Sequence, residues 1–233
     1  LQTMKEKKVD PNVFTYASLM KGYIDTGKPE AAEELFENFP KLGVKLDVVV
    51  CNTLITHYSA TNQVDKALKI FDQMEQEGVQ ASRVLYSSLI HLCCKTNKVQ
   101  AAEKLYSIME RQGIAPSALL VASMLKSMRN ISDVPRIHEL LDNATKHSLD
   151  IPPQTFGALI RFFSKSTRNA DDALKVLNVM KKLNITPDPQ DMKMLVTSMQ
   201  DLQNDSFFEL MERMKELQMP VEAQLYNNFI YPL

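Results

Sequence analysis

The 233 residues include no tryptophan, only six glycines and only three cysteines, and they contain no long hydrophobic run. Cys51, Cys93 and Cys94 offer no disulfide framework, which excludes the disulfide-rich secreted class and suits a reducing compartment. No apolar stretch approaches the ~20 residues that a membrane span needs. The formal net charge of −1 gives no bulk attraction to nucleic acid or to a membrane surface. What remains is a globular composition, 45% hydrophobic and 24% charged.

Residues that would indicate an enzyme are sparse. So few glycines leave no glycine-rich phosphate-binding loop. Cys93 and Cys94 are adjacent on a predicted helix, so their side chains diverge by about 100°. The four histidines are isolated and lack a spacing typical of zinc ligands: His57, His91, His138 and His147. We therefore predict no catalytic residue, no metal, no cofactor and no small-molecule substrate.

One pattern recurs along the chain at intervals of 35 residues. Its clearest copy is 48–82, where an apolar helical segment around Leu54 is interrupted at Thr61 and Asn62. The second helix of this copy carries apolar residues at i, i+3, i+4 and i+7, the mark of one buried face. Gly78 follows, where the end of a helix favours a left-handed residue. The equivalent core positions are Leu19, Leu54, Leu89, Met124, Leu159 and Leu195.

Such a period predicts a single array of helical hairpins over 1–233, each packing on its neighbours as an all-α solenoid. Repeats one to six are 13–47, 48–82, 83–117, 118–152, 153–188 and 189–222, with partial repeats at 1–12 and 223–233. Because Leu1 falls inside an expected second helix, we interpret the chain as a fragment of a longer protein. Any targeting peptide would lie upstream of it.

Local signals refine the pattern. Pro40 comes late in the second helix of repeat one and predicts that this helix ends early or kinks. Gly43, Gly78 and Gly113 should close three repeats, and Asn184 should close another. From residue 118 onward the pattern erodes, and Ser148 stands where a glycine closed the earlier repeats.

Three motifs carry a resemblance to a known family. They are P-[DNS]-x-x-T-Y at 11–16, N-T-L-I at 52–55 and M-x-x-x-G-[VI] at 74–79. With the 35-residue period, they resemble the pentatricopeptide-repeat family, most strongly over 1–117. Tetratricopeptide repeats favour 34 residues and a tryptophan-containing core, which this chain lacks. The resemblance implies a right-handed superhelix that binds single-stranded RNA, about one base per repeat, in a groove lined by the first helices.

The resemblance also implies residue roles. Base readers are the fifth residue of a repeat, paired with its last residue: Asn52 with Ser82, Ser87 with Ser117, and Ala17 with Asp47. The first pair resembles a cytosine-leaning reader and the second a purine-leaning one. The other four pairs depart from the family pattern: Ala17 with Asp47, Ala122 with Pro152, Gly157 with Asp188, and Lys193 with Glu222. Base-sandwiching residues are the second of each repeat: Phe14, Val49, Val84 and Leu119, followed by Gln154, Gln190 and Gln224.

Other interpretations of these positions stay open. Serine or aspartate at the end of a repeat can serve only to cap the next helix. Val49 and Val84 could equally be buried, and the recurring aromatic residues Tyr16, Tyr86, Phe156 and Tyr226 fit packing between hairpins better than base stacking.

Charge gives an independent argument. Over 13–168 the expected first helices hold eight basic residues against Asp25 alone, a balance of +7, whereas the whole chain sums to −1. The eight are Lys21, Arg83, Lys95, Lys126, Arg129, Arg161, Lys165 and Arg168. A basic layer along an array is the electrostatic track that a phosphate backbone needs, although an ordinary solvated face is the alternative. We expect phosphate contacts from Lys21, Lys95, Lys126, Arg129, Arg161 and Lys165.

Together these features favour an organellar, single-stranded RNA-binding adaptor that is non-catalytic and acts in RNA processing, stability or translation. The resemblance implies the mitochondrion, with the chloroplast as the alternative. The second hypothesis is a protein-binding scaffold, such as a pentatricopeptide-type subunit of an organellar ribosome. Its protein partners would bind the C-terminal repeats, and neither hypothesis involves a membrane.

Overall fold

The computed structural model describes residues 11–166, 170–199, 212 and 215, and within these ranges every regular element is a helix. The chain divides into two compact units, Leu1–Pro116 and Ser117–Leu233. No helix in the described ranges combines the length and the apolar character that crossing a bilayer would require. The all-α class of stacked helical hairpins that the period predicted is confirmed.

The first unit consists of helical hairpins in sequence. Each hairpin has a first helix and a second helix, and the second helix of the first hairpin is followed by a short extra turn. In chain order the helices are α1 (Val13–Asp25), α2 (Pro29–Glu37), α3 (Phe39–Leu42), α4 (Val48–Ala60), α5 (Val64–Gln76), α6 (Arg83–Lys95) and α7 (Val99–Arg111).

The second unit continues the alternation with less regular geometry. Its helices are α8 (Ala118–Ser127), α9 (Val134–Lys146), α10 (Pro153–Ser166), α11 (Ala170–Lys182) and α12 (Pro189–Met199). A 3₁₀ turn, Ile131–Asp133, separates α8 from α9. There the Asp133 carboxylate accepts hydrogen bonds from the backbone N–H groups of Arg129 and Asn130, both 3.0 Å long. Helix α8 ends at Ser127, three residues before the position at which the first helices of repeats one to three end, so the predicted loss of regularity after 118 is visible as a shortened helix.

Within each unit, successive hairpins are held together by packing between helices of the same kind. In the first unit α1 packs on α4, and α4 packs on α6, while each first helix also packs on the second helix of its own hairpin. In the second unit α10 packs on α12, and α9 on α11. The recurring apolar positions fill these contacts, with Leu54, Leu89, Met124 and Leu159 all buried. Burying each such side chain stabilises the fold by roughly 1.5–3 kcal/mol.

The turns use residues that tolerate a left-handed backbone. Gly43, Gly78, Gly113 and Asn184 have φ of 64°, 71°, 71° and 56°, which confirms that they close their repeats. Ser148 adopts φ of 47° in the place of a glycine. The sequence interpretation missed a second set inside the hairpins, where Gly27, Asn62 and Asn97 also have positive φ. Asparagine reaches this region more easily than other side chains because its short polar group can bond locally.

Pro40 divides the second helix of repeat one, as predicted. The helix ends at Glu37, and a separate turn, Phe39–Leu42, follows it. Phe39 is buried there, with its ring 5.4 Å from that of Tyr16 and 5.6 Å from that of Phe36. The bend therefore still contributes an aromatic side chain to the core.

Ion pairs link second helices of successive repeats. Lys66 Nζ lies 2.6 Å from Glu33 Oε1, and Lys175 Nζ lies 3.0 Å from Asp142 Oδ2. Lys98 pairs with Asp65 in the same relation, 33 residues apart in each case. Such exposed pairs stabilise a fold by only about 0–1 kcal/mol each. Their larger consequence is that these second-helix lysines already have carboxylate partners.

Two glycines offer a test of the backbone argument. A methyl group added at Gly22 or at Gly78 would meet nothing within 4 Å, but only Gly78 has a positive φ. Gly22→Ala, within helix α1, should raise the free energy of unfolding by roughly 0.5–1 kcal/mol. Gly78→Ala should lower it by about 1 kcal/mol, because alanine is strained in the left-handed region. Denaturant unfolding of both variants decides the matter, and shifts of the same sign would contradict the account.

Candidate functional site

Each first helix presents one stripe of side chains made by positions 2, 5, 9 and 13 of its repeat. At about 100° per residue these positions fall within roughly 80° of one another around the helix axis. We call this surface the first-helix stripe. Its members in repeats one to three are Phe14, Ala17, Lys21, Asp25, Val49, Asn52, Thr56, Ala60, Val84, Ser87, His91 and Lys95; in repeats four and five they are Leu119, Ala122, Lys126, Gln154, Gly157, Arg161 and Lys165.

The stripe begins with an apolar side chain that is not buried. Phe14, Val84 and Leu119 are 68%, 71% and 67% exposed, and Val49 is 37% exposed. These four are among only seven large hydrophobic residues exposed in the described part of the chain. Packing does not account for an apolar residue that recurs at one exposed register position. Val49 and Val84 are therefore surface residues, and the alternative that they are buried is wrong.

The next position differs between repeats. Asn52 and Ser87 are half-buried and carry polar atoms on the stripe. Ala17 and Ala122 are only 6% and 2% exposed and carry no polar side-chain atom. Of the fifth positions in repeats one to five, only those of repeats two and three can therefore form a side-chain hydrogen bond with a ligand.

The residues that end repeats one to three all cap the following first helix. Asp47 Oδ1 accepts a hydrogen bond from the Val49 N–H at 2.7 Å. The hydroxyl oxygens of Ser82 and Ser117 accept from the N–H groups of Leu85 and Leu120 at 3.2 and 3.3 Å. The capping interpretation is confirmed. A capping hydroxyl keeps its own proton, so both serines retain a donor for a second partner.

In repeats one, three and four an exposed lysine follows the apolar residue on the stripe, whereas α4 of repeat two has no lysine or arginine. Lys21, Lys95, Lys126 and Lys165 are exposed and have no carboxylate partner among the described residues. Arg129 is exposed as well, and its Nε donates to the Lys126 carbonyl at 3.5 Å. Two other cations are engaged: Arg83 Nε donates to the Ala115 carbonyl at 3.1 Å, and Arg161 pairs with Asp191. Arg168 lies outside the described residues.

Repeat five has an arrangement that sequence reasoning missed. A Cβ placed on Gly157 would lie 2.3 Å from Asp191 Oδ2, so the carboxylate occupies the space that a side chain at this position would take. Asp191 Oδ1 accepts a hydrogen bond from Arg161 Nη1 at 2.6 Å. The available signal is at the third position, where earlier repeats have threonine, valine or leucine and repeat six has an aspartate: Thr15, Val50, Leu85, Leu120, Thr155 and Asp191.

The recurring aromatic residues belong to the core. Tyr16, Tyr86 and Phe156 are buried, which confirms the packing interpretation, and Tyr226 lies outside the described residues. The Tyr86 hydroxyl donates to Gln112 Oε1 at 3.1 Å and so satisfies its polar atom inside the unit.

Two of the three cysteines, Cys51 and Cys93, are poor nucleophiles. Burial raises the pKa of the Cys51 thiol to about 12, with smaller contributions from Asp47 and Glu77. Burial likewise raises the pKa of the Cys93 thiol to about 12. Both thiols therefore stay protonated at neutral pH. Within 11–166 and 170–199, no group of three or more histidine, cysteine, aspartate or glutamate side chains is placed to hold a metal ion.

Stacked helical hairpins with a repeating exposed stripe define a helical-repeat protein of the α-solenoid class. The family model described as the pentacotripeptide-repeat region of PRORP matches residues 50–226. Two further models, a PPR repeat and a pentatricopeptide repeat domain, match 14–44 and 1–26. Since the first match alone covers more than half of the 233 residues, the chain belongs to the pentatricopeptide-repeat family.

Solved structures show the same fold. PPR10 from maize, crystallised with an 18-nt psaJ RNA element, is 18% identical with a TM-score of 0.53, over 94% of this chain and 30% of PPR10. Arabidopsis thaliana PRORP2, a nuclear proteinaceous RNase P, is 15% identical with a TM-score of 0.65, over 79% of this chain and 42% of PRORP2.

The PPR domain of A. thaliana PRORP1, crystallised with tRNA, is 16% identical with a TM-score of 0.58. That match covers 78% of this chain and 96% of the domain. The chain thus spans less than half of PPR10 and of PRORP2 but nearly all of an isolated PPR domain. The comparison with curated proteins gave no match.

Proposed function

We propose that this protein binds single-stranded RNA through the first-helix stripe. The observation that carries the proposal is an exposed apolar residue that recurs at one register position in repeats one to four, followed on the stripe in repeats one, three and four by an exposed lysine. An RNA strand exposes both a flat apolar base and a charged phosphate at every nucleotide. A surface that repeats apolar and cationic side chains in the same order matches that chemistry.

The apolar residues contribute affinity by covering the faces of bases. Stacking on an aromatic ring is worth ~1–3 kcal/mol per base, and Phe14 is the aromatic member of the column. Val49, Val84 and Leu119 would contribute less per base because they offer branched rather than planar surface. Gln154 and Gln190 take the same position in repeats five and six, and both are exposed polar residues that make weaker platforms.

The polar residues supply base preference in repeats two and three. Asn52 and Ser87 can bond the edges of bases, with help from the free protons of Ser82 and Ser117. The phosphate contacts are assigned to Lys21, Lys95, Lys126, Arg129 and Lys165. Arg161, which the sequence analysis placed in the same group, is held by Asp191 and contributes little while that pair persists.

Relatives support RNA as the ligand class. PPR10 was crystallised with an 18-nt RNA and the PRORP1 PPR domain with tRNA. A short unpaired element agrees better with the alternating apolar and cationic stripe than a folded tRNA does, because stacking requires bases that are not already paired. We therefore assign single-stranded RNA.

The role that follows is that of a non-catalytic adaptor in RNA processing, stability or translation. The chain covers 96% of the PRORP1 PPR domain but only 42% of PRORP2. The likeness therefore concerns the PPR region of such proteins. Membership of the family favours an organelle, and we assign the mitochondrion ahead of the chloroplast.

A second candidate is a protein-binding scaffold that uses the C-terminal repeats. Two observations in the second unit favour it: Ala122 is buried without a polar atom, and Gly157 is covered by Asp191. Those repeats offer little base-edge chemistry. In this case the protein would be a subunit of an organellar assembly such as a ribosome. The isolated protein would then show no affinity for RNA.

Charge reversal on the stripe tests the RNA proposal. Lys95→Glu with Lys126→Glu should weaken binding to a short unstructured RNA at least tenfold at 50 mM salt. About four neutralised phosphates give the wild-type protein a slope of log K against log salt near −3, and the double variant should fall to roughly half of that. A fluorescence-anisotropy titration at several salt concentrations measures both quantities.

The matched control is Lys104→Glu on the exposed surface of α7, the second helix of repeat three, which makes the same charge change as Lys95→Glu alone. It should leave affinity and slope nearly unchanged. Equal losses from Lys95→Glu and Lys104→Glu would mean that net charge alone drives binding. Absence of binding at low salt would leave the scaffold, and preference for tRNA over unpaired RNA would contradict the assignment of single strands.

Base preference is tested at repeat two. Asn52→Ala should reduce discrimination between pyrimidine and purine at one position of the RNA by about tenfold, equivalent to 1.4 kcal/mol. Asn52 is the better target than Ser82, because removing the Ser82 hydroxyl would also remove a helix cap. Competition among single-base RNA variants measures the change. Gln73→Ala, an amide on the exposed surface of the second helix in the same repeat, should change nothing; uniform weakening for every RNA by Asn52→Ala would exclude a reading role.

A further inference from the structure

We propose that Asp191 closes repeat five to RNA: its carboxylate fills the place of the missing reader at Gly157 and neutralises Arg161. The inference rests on the proposed function and specifies which repeat does not bind RNA. Repeat five keeps the fold of the other repeats but is switched off as a binding unit by a residue from the helix packed against it.

The steric part comes from Gly157. In repeats one to four the fifth residue of the first helix has a side chain, but repeat five has none. The empty volume is taken by Asp191, whose Oδ2 lies 2.3 Å and whose Cγ lies 3.4 Å from where a Cβ would stand. A base edge needs that same volume to reach the helix. While the carboxylate occupies it, the base has no site there.

The electrostatic part comes from Arg161. This residue holds the ninth position of its repeat, where repeats one and four have Lys21 and Lys126, neither of which meets a carboxylate among the residues that the structure describes. Arg161 Nη1 is instead bound to Asp191 Oδ1 at 2.6 Å, although nearly half of the Arg161 side chain is exposed. Asp191 itself is almost fully buried, at 8% exposure. Water therefore screens this ion pair less than it screens the lysine–carboxylate pairs between second helices. The cation that would meet a phosphate is thus already neutralised.

The two effects share one cause, the Asp191 carboxylate, and one substitution removes both. Removing the Asp191 carboxylate opens the space beside Gly157 and releases the Arg161 guanidinium together. A residue whose only role was packing between α10 and α12 would weaken the fold and every RNA interaction when removed. A closing residue produces the reverse result, a gain in RNA binding.

The test compares wild-type protein with Asp191→Ala, Arg161→Gln and the double variant against unstructured RNAs of increasing length. Asp191→Ala should bind more tightly at 50 mM salt and steepen the slope of log K against log salt by about 0.7, the value for one further phosphate on a single strand. It should also benefit from an RNA one nucleotide longer than the wild-type protein requires. Arg161→Gln should change little alone and should abolish the gain in the double variant.

Two controls keep the outcome decisive. Asp150→Ala removes the same charge from an exposed position in the same unit and should not alter the slope. Gly157→Ala leaves Asp191 in the sequence but pushes its carboxylate away, so it should reproduce part of the gain if Asp191→Ala proves unstable by circular dichroism. Wild-type binding with no gain in either variant would overturn the closure while leaving RNA binding intact. No binding by any variant would overturn both.

Discussion

The structure depends on one packing constraint: a helical hairpin with two apolar faces cannot bury both by itself. Within each unit the first helices solve this by packing on one another, as α1, α4 and α6 do. Because the buried residues recur every 35 positions, each first helix is placed in the same rotation as its neighbour. The residues left over on each helix therefore recur at the same rotation as well. The first-helix stripe is thus a geometric consequence of burying the core.

The first and second helices also differ in how their charged side chains are partnered. Carboxylates and lysines on second helices meet across successive repeats, as Glu33 meets Lys66. The first helices carry few acidic residues, and lysines such as Lys95 and Lys126 have no carboxylate partner in the part of the chain that the structure describes. A protein with a net charge of −1 can in this way present a cationic surface where it is needed. In repeat five, by contrast, an acidic residue on the next first helix, Asp191, pairs with Arg161.

Periodicity predicted the fold class and the buried leucine columns, and local residue chemistry predicted the bend at Pro40 and the left-handed turns at Gly43 and Gly78. The sequence did not decide whether Val84 is buried, because an apolar residue at the start of a helix is compatible with either a buried or an exposed position. It also missed the contact between Asp191 and Gly157. That contact joins residues more than thirty positions apart, and only the packing of α10 on α12 brings them together.

The account's central claim is that RNA lies against the first helices, and photocrosslinking tests it most directly. The protein would be irradiated with a short RNA containing 4-thiouridine at each position in turn, and the crosslinked peptides identified by mass spectrometry. The account predicts crosslinks within Val48–Ala60 and Arg83–Lys95, centred on Val49 and Val84. Crosslinks concentrated in Val64–Gln76 and Val99–Arg111 would place RNA against the second helices and contradict it.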